Sequence, residues 1–135
     1  MTLKVVCYGV RPNEVPFFEK LNKYNFELRL VEELLTHDNI NTAEGMDAVI
    51  LRGNCVADRQ NIEKMSEYGI KYVFTRRVGF NHIDLQAAAT VAGGVAIITT
   101  IVPKAVRSTG KMWVTDRIAK IATLIAGIAI NLTNV

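Results

Sequence analysis

Four short apolar runs recur through the first hundred residues and are separated by segments with helical patterns. The runs are LKVVCY at 3–8, DAVILRG at 47–53, IKYVFT at 70–75 and VAIITT at 95–100. Runs of this length, rich in Val and Ile and with charged residues only near their ends, are typical of strands buried on both faces of a parallel sheet. Their alternation with helices predicts an α/β fold in which right-handed crossovers connect parallel strands.

The intervening segments carry the start and stop signals of helices. Asn13 is a candidate cap for a first helix, and Asp58 and Gly69 bracket a second one. The segment IDLQAAATVAG at 83–93 has the composition of a third helix. FELRLV at 26–31 alternates apolar and charged residues, which predicts a strand at the edge of the sheet.

In a parallel sheet, ligands bind beyond the carboxyl ends of the strands. The loops at these ends follow Tyr8, Leu51, Thr75 and Thr100. Arg52, Arg76 and Arg77 stand at or just past two of the ends, and Gly53 and Gly79 would let backbone N–H groups approach a ligand closely. This pattern suits a carboxylate that is held by amide and guanidinium groups together. Spacing alone leaves equally open whether the arginines instead pair with Asp or Glu.

The sequence offers no nucleotide-phosphate loop. A dinucleotide site needs Gly-x-Gly-x-x-Gly between a strand and a helix. Here the first strand ends in the single Gly9, and Gly93 and Gly94 precede a strand. No cofactor-binding motif is therefore predicted within these residues.

Metal ligation and nucleophilic catalysis have little support in the sequence. His37 and His82 are isolated, and neither belongs to a ligand pair at helical or hairpin spacing. His82 is better interpreted as a capping or surface residue than as a general base, which would need an orienting partner. Cys7 within a strand and Cys55 on a loop are interpreted as structural thiols.

The basic excess of the chain lies in its last third. Residues 1–90 contain 11 Lys or Arg and 12 Asp or Glu, whereas 91–135 contain five basic residues and one acidic residue. These basic residues are sparse and have a single aromatic residue, Trp113, among them, so no nucleic-acid partner is predicted. The uncharged stretch 121–135 is shorter than the roughly 20 residues of a membrane span, so no membrane partner is predicted. An apolar face over 118–132 predicts a buried or partner-facing helix.

The start of the chain and the cysteine count bear on location. The sequence MTLKVVCYGV at 1–10 enters a strand directly and lacks the pattern of a secretion signal. Two cysteines without a disulfide-rich context suit reduced thiols. A cytoplasmic location is predicted.

Three stretches together resemble the N-terminal half of the D-2-hydroxyacid dehydrogenases. They are VVCYGVRPNEVPFFEKLNKYN at 5–25, DAVILRGNCVADRQNIEKMSEYGIKYVFTR at 47–76 and VGFNHIDLQAAA at 78–89. The resemblance is strongest to the branch of D-lactate and (R)-2-hydroxyglutarate dehydrogenases. It implies a flavodoxin-like parallel sheet flanked by helices, with a substrate-binding role, over 1–102. A divergent basic segment and an additional C-terminal helix would follow over 103–135.

The resemblance also implies a substrate site at the active-site cleft. In the family, backbone N–H groups near the positions of Val78 and Gly79 bind the carboxylate of the 2-oxoacid. The implied substrate-binding residues are Arg52, Gly53, Asn54, Arg77, Val78, Gly79 and Phe80. Asn81, His82 and Asp84 would shape the turn and cap the following helix. Most relatives have a small hydroxyl residue where Arg77 stands, a change that would either crowd the site or favour a more acidic substrate.

The similarity fades past Thr90. Ile101 stands where the family has a Tyr that helps close the substrate site, and Arg107-Ser108-Thr109 replaces an acidic helix. The family binds NAD in a second, Rossmann domain, which also supplies the Arg, Glu and His that bind and protonate the substrate. None of these has a counterpart in the 135 residues, so no catalytic residue is assigned here.

Two functions remain open from the sequence. The first is a truncated or C-terminally altered NAD-dependent D-2-hydroxyacid dehydrogenase that keeps the substrate-carboxylate loop and is inactive as an isolated chain; a frameshift would explain the change near residue 91. The alternative is a non-catalytic binding module that forms a homodimer through its C-terminal helix. The partner implied for the first function is a small 2-oxoacid or D-2-hydroxyacid.

Overall fold

The fold is built on one parallel sheet, seen in a computed structural model that describes residues 3–22, 25–76, 82–91 and 94–99, with Ile121, Leu124 and Ile125. Its strands are β1 (Lys4–Tyr8), β2 (Glu27–Val31), β3 (Ala48–Leu51), β4 (Tyr72–Thr75) and β5 (Ala96–Thr99). They lie in the order β2-β1-β3-β4-β5, and every neighbouring pair is parallel. This is the strand order of flavodoxin-like folds. The predicted fold class is confirmed, and FELRLV forms the edge strand β2 as predicted.

Three α-helices connect the strands in the described ranges. They are α1 (Val15–Leu21), α2 (Arg59–Glu67) and α3 (Leu85–Thr90), and a short 3-10 helix spans Ile40–Ala43. The carboxylates of Asp58 and Asp84 cap α2 and α3 by accepting hydrogen bonds from backbone N–H groups, at 3.1 Å and 2.9 Å. Both caps were predicted.

The predicted cap of α1 is wrong. The helix begins after Glu14, not after Asn13, and no side chain caps its N-terminus. Asn13 is exposed. The carboxylate of Glu14 accepts a hydrogen bond from the backbone N–H of Arg11 at 2.9 Å, which turns it away from the helix.

The alternation of side chains along β1 divides the core into two layers. Val6 and Tyr8 belong to the layer under α2 and α3, and Val5 and Cys7 belong to the layer under α1. Consecutive side chains of a strand point to opposite faces. Both faces of the central strands are therefore covered, which explains why β3 is buried along its whole length.

Three residues from the end of the chain complete the layer under α1. Ile121, Leu124 and Ile125 are helical and almost fully buried, and they belong to the same cluster as Phe18 and Phe74. The sequence left open whether this apolar face is buried or meets a partner, and at these three positions it packs against the chain's own sheet. The predicted homodimer and the predicted boundary at residue 102 stay predictions.

Within the described ranges, no helix combines the length and the apolar character that a bilayer crossing requires.

Candidate functional site

The carboxyl edge of the sheet brings together three loops. Gly9 follows β1, Arg52 follows β3 and Arg76 follows β4. The backbone N–H of Arg76 donates to the carbonyl of Leu51 at 2.9 Å, so the loops after β3 and β4 begin side by side. The sequence-predicted residues Arg77, Val78, Gly79 and Phe80, and the neighbouring Asn81, lie outside the described residues.

Arg52 contributes an available positive charge to this edge of the sheet. Its side chain is half-buried, and its Nη1 donates to the carbonyl of Gly9 at a long 3.4 Å. Within the described part of the chain it forms no ion pair. A guanidinium carries five N–H donors, so most of those of Arg52 can serve an anion.

The loop that carries Arg52 is held firmly by its surroundings. The N–H of Cys55 donates to the carbonyl of Arg52 at 3.2 Å, and the N–H of Val56 donates to the carbonyl of Leu35 at 2.8 Å. The buried Asn61 side chain donates to the carbonyl of Val56 at 2.7 Å. A loop fixed in this way suits ligand binding, because it loses little conformational entropy when the ligand binds.

The tip of the same loop places the two other predicted residues differently. Gly53 is buried, whereas Asn54 is exposed and has a positive φ of 73°. Asn tolerates this left-handed conformation better than most residues. Of these two residues, Asn54 is therefore the one that is exposed to solvent at the edge of the sheet.

Gly9 allows the Arg52 side chain to lie across the end of β1. Its φ is +70°, and a Cβ at this position would come within 2.9 Å of Leu34 Cδ2 and 3.1 Å of Arg52 Cβ and Cδ. The 2.9 Å contact would require the end of the Leu34 side chain to move, and the 3.1 Å contacts would require Arg52 to shift by a few tenths of an ångström. Gly9 was interpreted from the sequence only as a strand end, and its role as the seat of Arg52 was missed.

A Gly9→Ala variant is expected to lose stability and to displace Arg52. The left-handed backbone alone costs a non-glycine residue about 1–2 kcal/mol, and the contacts with Leu34 and Arg52 add to this. Gly69→Ala is the matched control, because Gly69 has a φ of +82° and open space around the added Cβ. Urea denaturation of both variants separates the two costs. Equal losses would show that the Gly9 contacts are unimportant.

Arg76 is not available to a ligand in the way that Arg52 is. Its Nη1 and Nη2 donate to Glu14 Oε1 and Oε2 at 3.3 Å and 2.7 Å. The side chains are 12% and 4% exposed, and the Arg76 guanidinium lies 5.7 Å from the centroid of the Phe18 ring. The sequence left open whether the arginines bind a ligand or pair with Asp or Glu, and Arg76 pairs with Glu14.

The ionisation of Glu14 reflects two opposing influences. Burial by itself raises the pKa of this carboxyl. Hydrogen bonds from the Arg76 guanidinium and the Arg11 N–H, with the charges of Arg76 and Arg52, outweigh burial and hold the pKa below its ordinary value. Glu14 is therefore an ionised carboxylate at neutral pH, and it neutralises Arg76.

The stability of the chain is expected to depend on pH through Glu14. Because the pKa is lower in the folded chain, the contribution of Glu14 is complete above its ordinary pKa of 4.5 and is lost as the pH falls through the lower folded value. The midpoint of urea unfolding, measured between about pH 5 and about pH 3, should fall less steeply in Glu14→Gln than in the wild type. Glu63→Gln, on the exposed surface of α2, is the control. Parallel curves for the wild type and Glu14→Gln would contradict the assignment.

The two cysteines and His82 are buried or half-buried within the fold. Burial raises the pKa of the Cys7 thiol to about 12 and also raises that of the buried Cys55 thiol, which supports structural roles for both. His82 is half-buried, with its Nε2 3.4 Å from Thr75 Oγ1. Within the described ranges, no group of three or more His, Cys, Asp or Glu side chains could hold a metal ion.

The turn between β1 and α1 does not fit a dinucleotide. A Rossmann fold places a Gly-rich turn here, so that pyrophosphate can approach the helix N-terminus. In this chain the space beside Gly9 is filled by Leu34 and Arg52, and the buried carboxylate of Glu14 stands at the start of α1.

Comparison with known proteins identifies the class of the chain. Residues 4–106 match the family model of the D-isomer specific 2-hydroxyacid dehydrogenase, catalytic domain. The chain therefore belongs to the D-isomer specific 2-hydroxyacid dehydrogenase family. The predicted resemblance is confirmed.

Individual relatives agree with this family. The chain is 32% identical over 105 residues to an aromatic 2-oxoacid reductase of Clostridium sporogenes, covering 77% of this chain and 32% of the relative. It is 30% identical over 105 residues to a D-lactate dehydrogenase of Escherichia coli, with the same two coverages. The chain thus spans about a third of the length of the curated relatives it matches.

Solved structures show the same fold. The apo structure of D-lactate dehydrogenase from Escherichia coli aligns with a TM-score of 0.66 and 26% identity, covering 78% of this chain and 35% of that one. The NAD-complexed D-isomer specific 2-hydroxyacid dehydrogenase from Lactobacillus delbrueckii ssp. bulgaricus aligns with a TM-score of 0.64 and 27% identity, covering 79% and 34%.

Proposed function

We propose that the chain provides the substrate-binding half of a D-2-hydroxyacid dehydrogenase and binds the carboxylate of a small 2-oxoacid or D-2-hydroxyacid. The observation that carries the proposal is the family match over residues 4–106, which includes every residue assigned to the substrate. These residues are Arg52, Gly53, Asn54, Arg77, Val78, Gly79 and Phe80. Arg52, which is half-buried and forms no ion pair within the described ranges, gives the proposal physical support.

The proposed role of these residues is to bind and orient the substrate. Backbone N–H groups of Val78 and Gly79 would donate to the carboxylate, and the guanidinium of Arg52 would add positive charge beside them. NAD, when bound to a member of this family, supplies the hydride. The described residues do not fit NAD at the β1–α1 turn, so no chemical step is assigned to them.

The 135-residue chain alone is expected to show negligible oxidation of NADH with pyruvate, 2-oxoglutarate or phenylpyruvate. Orienting a substrate without a hydride donor and a proton donor leaves the barrier almost unchanged. Loss of NADH absorbance is the direct assay. Turnover above the rate of the buffer would contradict this expectation, because it would require a cofactor site within the 135 residues.

The binding proposal is tested separately from turnover. The affinity of the chain for the same three 2-oxoacids, followed by NMR, should fall by roughly tenfold in Arg52→Gln, as expected for the loss of a charged hydrogen-bonding group. Arg59→Gln, on the exposed start of α2, should leave the affinity unchanged. Equal weakening by both substitutions would point to general electrostatic attraction and not to a site at Arg52.

A further inference from the structure

Arg76 is held at three points, one at the end of β3 and two at the start of α1. Its backbone N–H is bonded to Leu51 at the end of β3, and its guanidinium is bonded to Glu14 before α1. The same guanidinium lies over the ring of Phe18. In the strand order of this sheet, β3 separates β1 from β4, so the ion pair bridges the loops of two strands that are not neighbours.

Stability alone is a poor explanation for a pair in this position. A buried ion pair is often no better for stability than apolar residues of similar volume, because both charges must leave water. Glu14 is 3% exposed, although carboxylates are seldom buried to this extent. A role in fixing the relative position of the two loops would explain why an ion pair is buried at this site.

The place of the pair in the sequence indicates which geometry it fixes. Arg76 directly precedes 77–80, the segment proposed to bind the substrate carboxylate. The pair also keeps the Arg76 guanidinium from binding the substrate carboxylate, because that guanidinium is bonded to Glu14. The Arg52 side chain, in contrast, has a single long hydrogen bond within the described ranges.

We infer that the Glu14–Arg76 ion pair is a positioning device that fixes the chain where the carboxylate-binding segment begins and keeps Arg76 from competing for the substrate. The inference rests on the proposed function. Glu14 and Arg76 act through the residues that follow them and are positioning residues, not catalytic ones.

Amide hydrogen exchange tests the positioning role without any ligand. In Glu14→Gln and in the milder Arg76→Lys, the exchange rate of the Arg76 amide should rise at least about tenfold more than that of the β1 amide of Val6, which reports any loss of global stability. Glu63→Gln should change neither amide. If the Arg76 and Val6 amides accelerate together, the pair is a general structural element and the inference is overturned.

Binding of pyruvate tests the consequence for the site. Both variants should bind pyruvate roughly tenfold more weakly than the wild type, and Glu63→Gln should bind normally. Wild-type affinity in Glu14→Gln and Arg76→Lys would overturn the inference while leaving the proposed function standing. If the wild type itself does not bind pyruvate, the proposed function fails, and the exchange rates alone decide whether the pair positions the chain at Arg76.

Discussion

Replacing Arg76 by methionine is expected to lower the free energy of unfolding by about 3–5 kcal/mol, because it strands the Glu14 carboxylate in a buried position. Glu14 loses two hydrogen bonds from the guanidinium, at 3.3 Å and 2.7 Å, and keeps the one from the Arg11 N–H. Its side chain is 4% exposed, so water cannot replace what is lost. Chemical denaturation at neutral pH measures the change.

A double variant separates the charge from the packing. Glu14→Leu combined with Arg76→Met removes both charges, and it should regain most of the stability lost in Arg76→Met, since paired buried charges are often replaceable by apolar residues. The double variant should nevertheless lack the positioning effect. A double variant as unstable as Arg76→Met would show that the loss comes from the packing of the Arg76 side chain against Phe18 and not from the stranded carboxylate.

Replacing Ile125 by aspartate is expected to destabilise the chain by about 4 kcal/mol or more, enough to unfold much of a marginally stable domain. Ile125 is 2% exposed and packs in the cluster that also contains Val5, Phe18 and Phe74. A carboxylate there would have to be buried without a partner or protonated. Thermal unfolding followed by circular dichroism would show the loss.

The Ile125→Asp variant also distinguishes packing within the chain from packing between chains. Leu85→Asp is the matched control, because Leu85 is 47% exposed and the same substitution there should be nearly neutral. If the apolar face instead formed a homodimer, the wild type would be a dimer that dissociates on dilution. The Ile125→Asp variant would then be a folded monomer. A folded Ile125→Asp chain with wild-type stability would contradict the packing described here.

Most of the fold followed from local patterns in the sequence. The uninterrupted apolar runs gave the central strands, because strands covered on both faces need no polar side chain. The alternation in 26–31 marked the edge strand, and the carboxylates of Asp58 and Asp84 marked two helix starts. The cap of α1 was predicted wrongly, because the helix begins one residue later than expected and the Glu14 carboxylate at that position is held by Arg11 and by Arg76, which is 62 residues away along the chain.

The candidate site was less accessible to sequence reasoning. Arg52 and Arg76 carry the same charge and occupy equivalent places after neighbouring strands, and pattern alone could not say which one is neutralised. The sequence did offer one signal that Glu14 pairs with an arginine: it is an acidic residue in the loop after β1, and several arginines follow other strands of the same sheet. The contact between Gly9 and Arg52 had no local signature, because it depends on how the ends of β1 and β3 are aligned.

The most direct test of the central claim is to map pyruvate binding on the wild-type chain by NMR chemical-shift perturbation of its backbone amides. We expect shifts that are confined to 52–54 and 76–80, saturate with pyruvate and are absent with an uncharged analogue such as acetone. Shifts elsewhere on the chain, or none at pyruvate concentrations that saturate a weak site, would contradict the assignment of a carboxylate site to the carboxyl edge of this sheet.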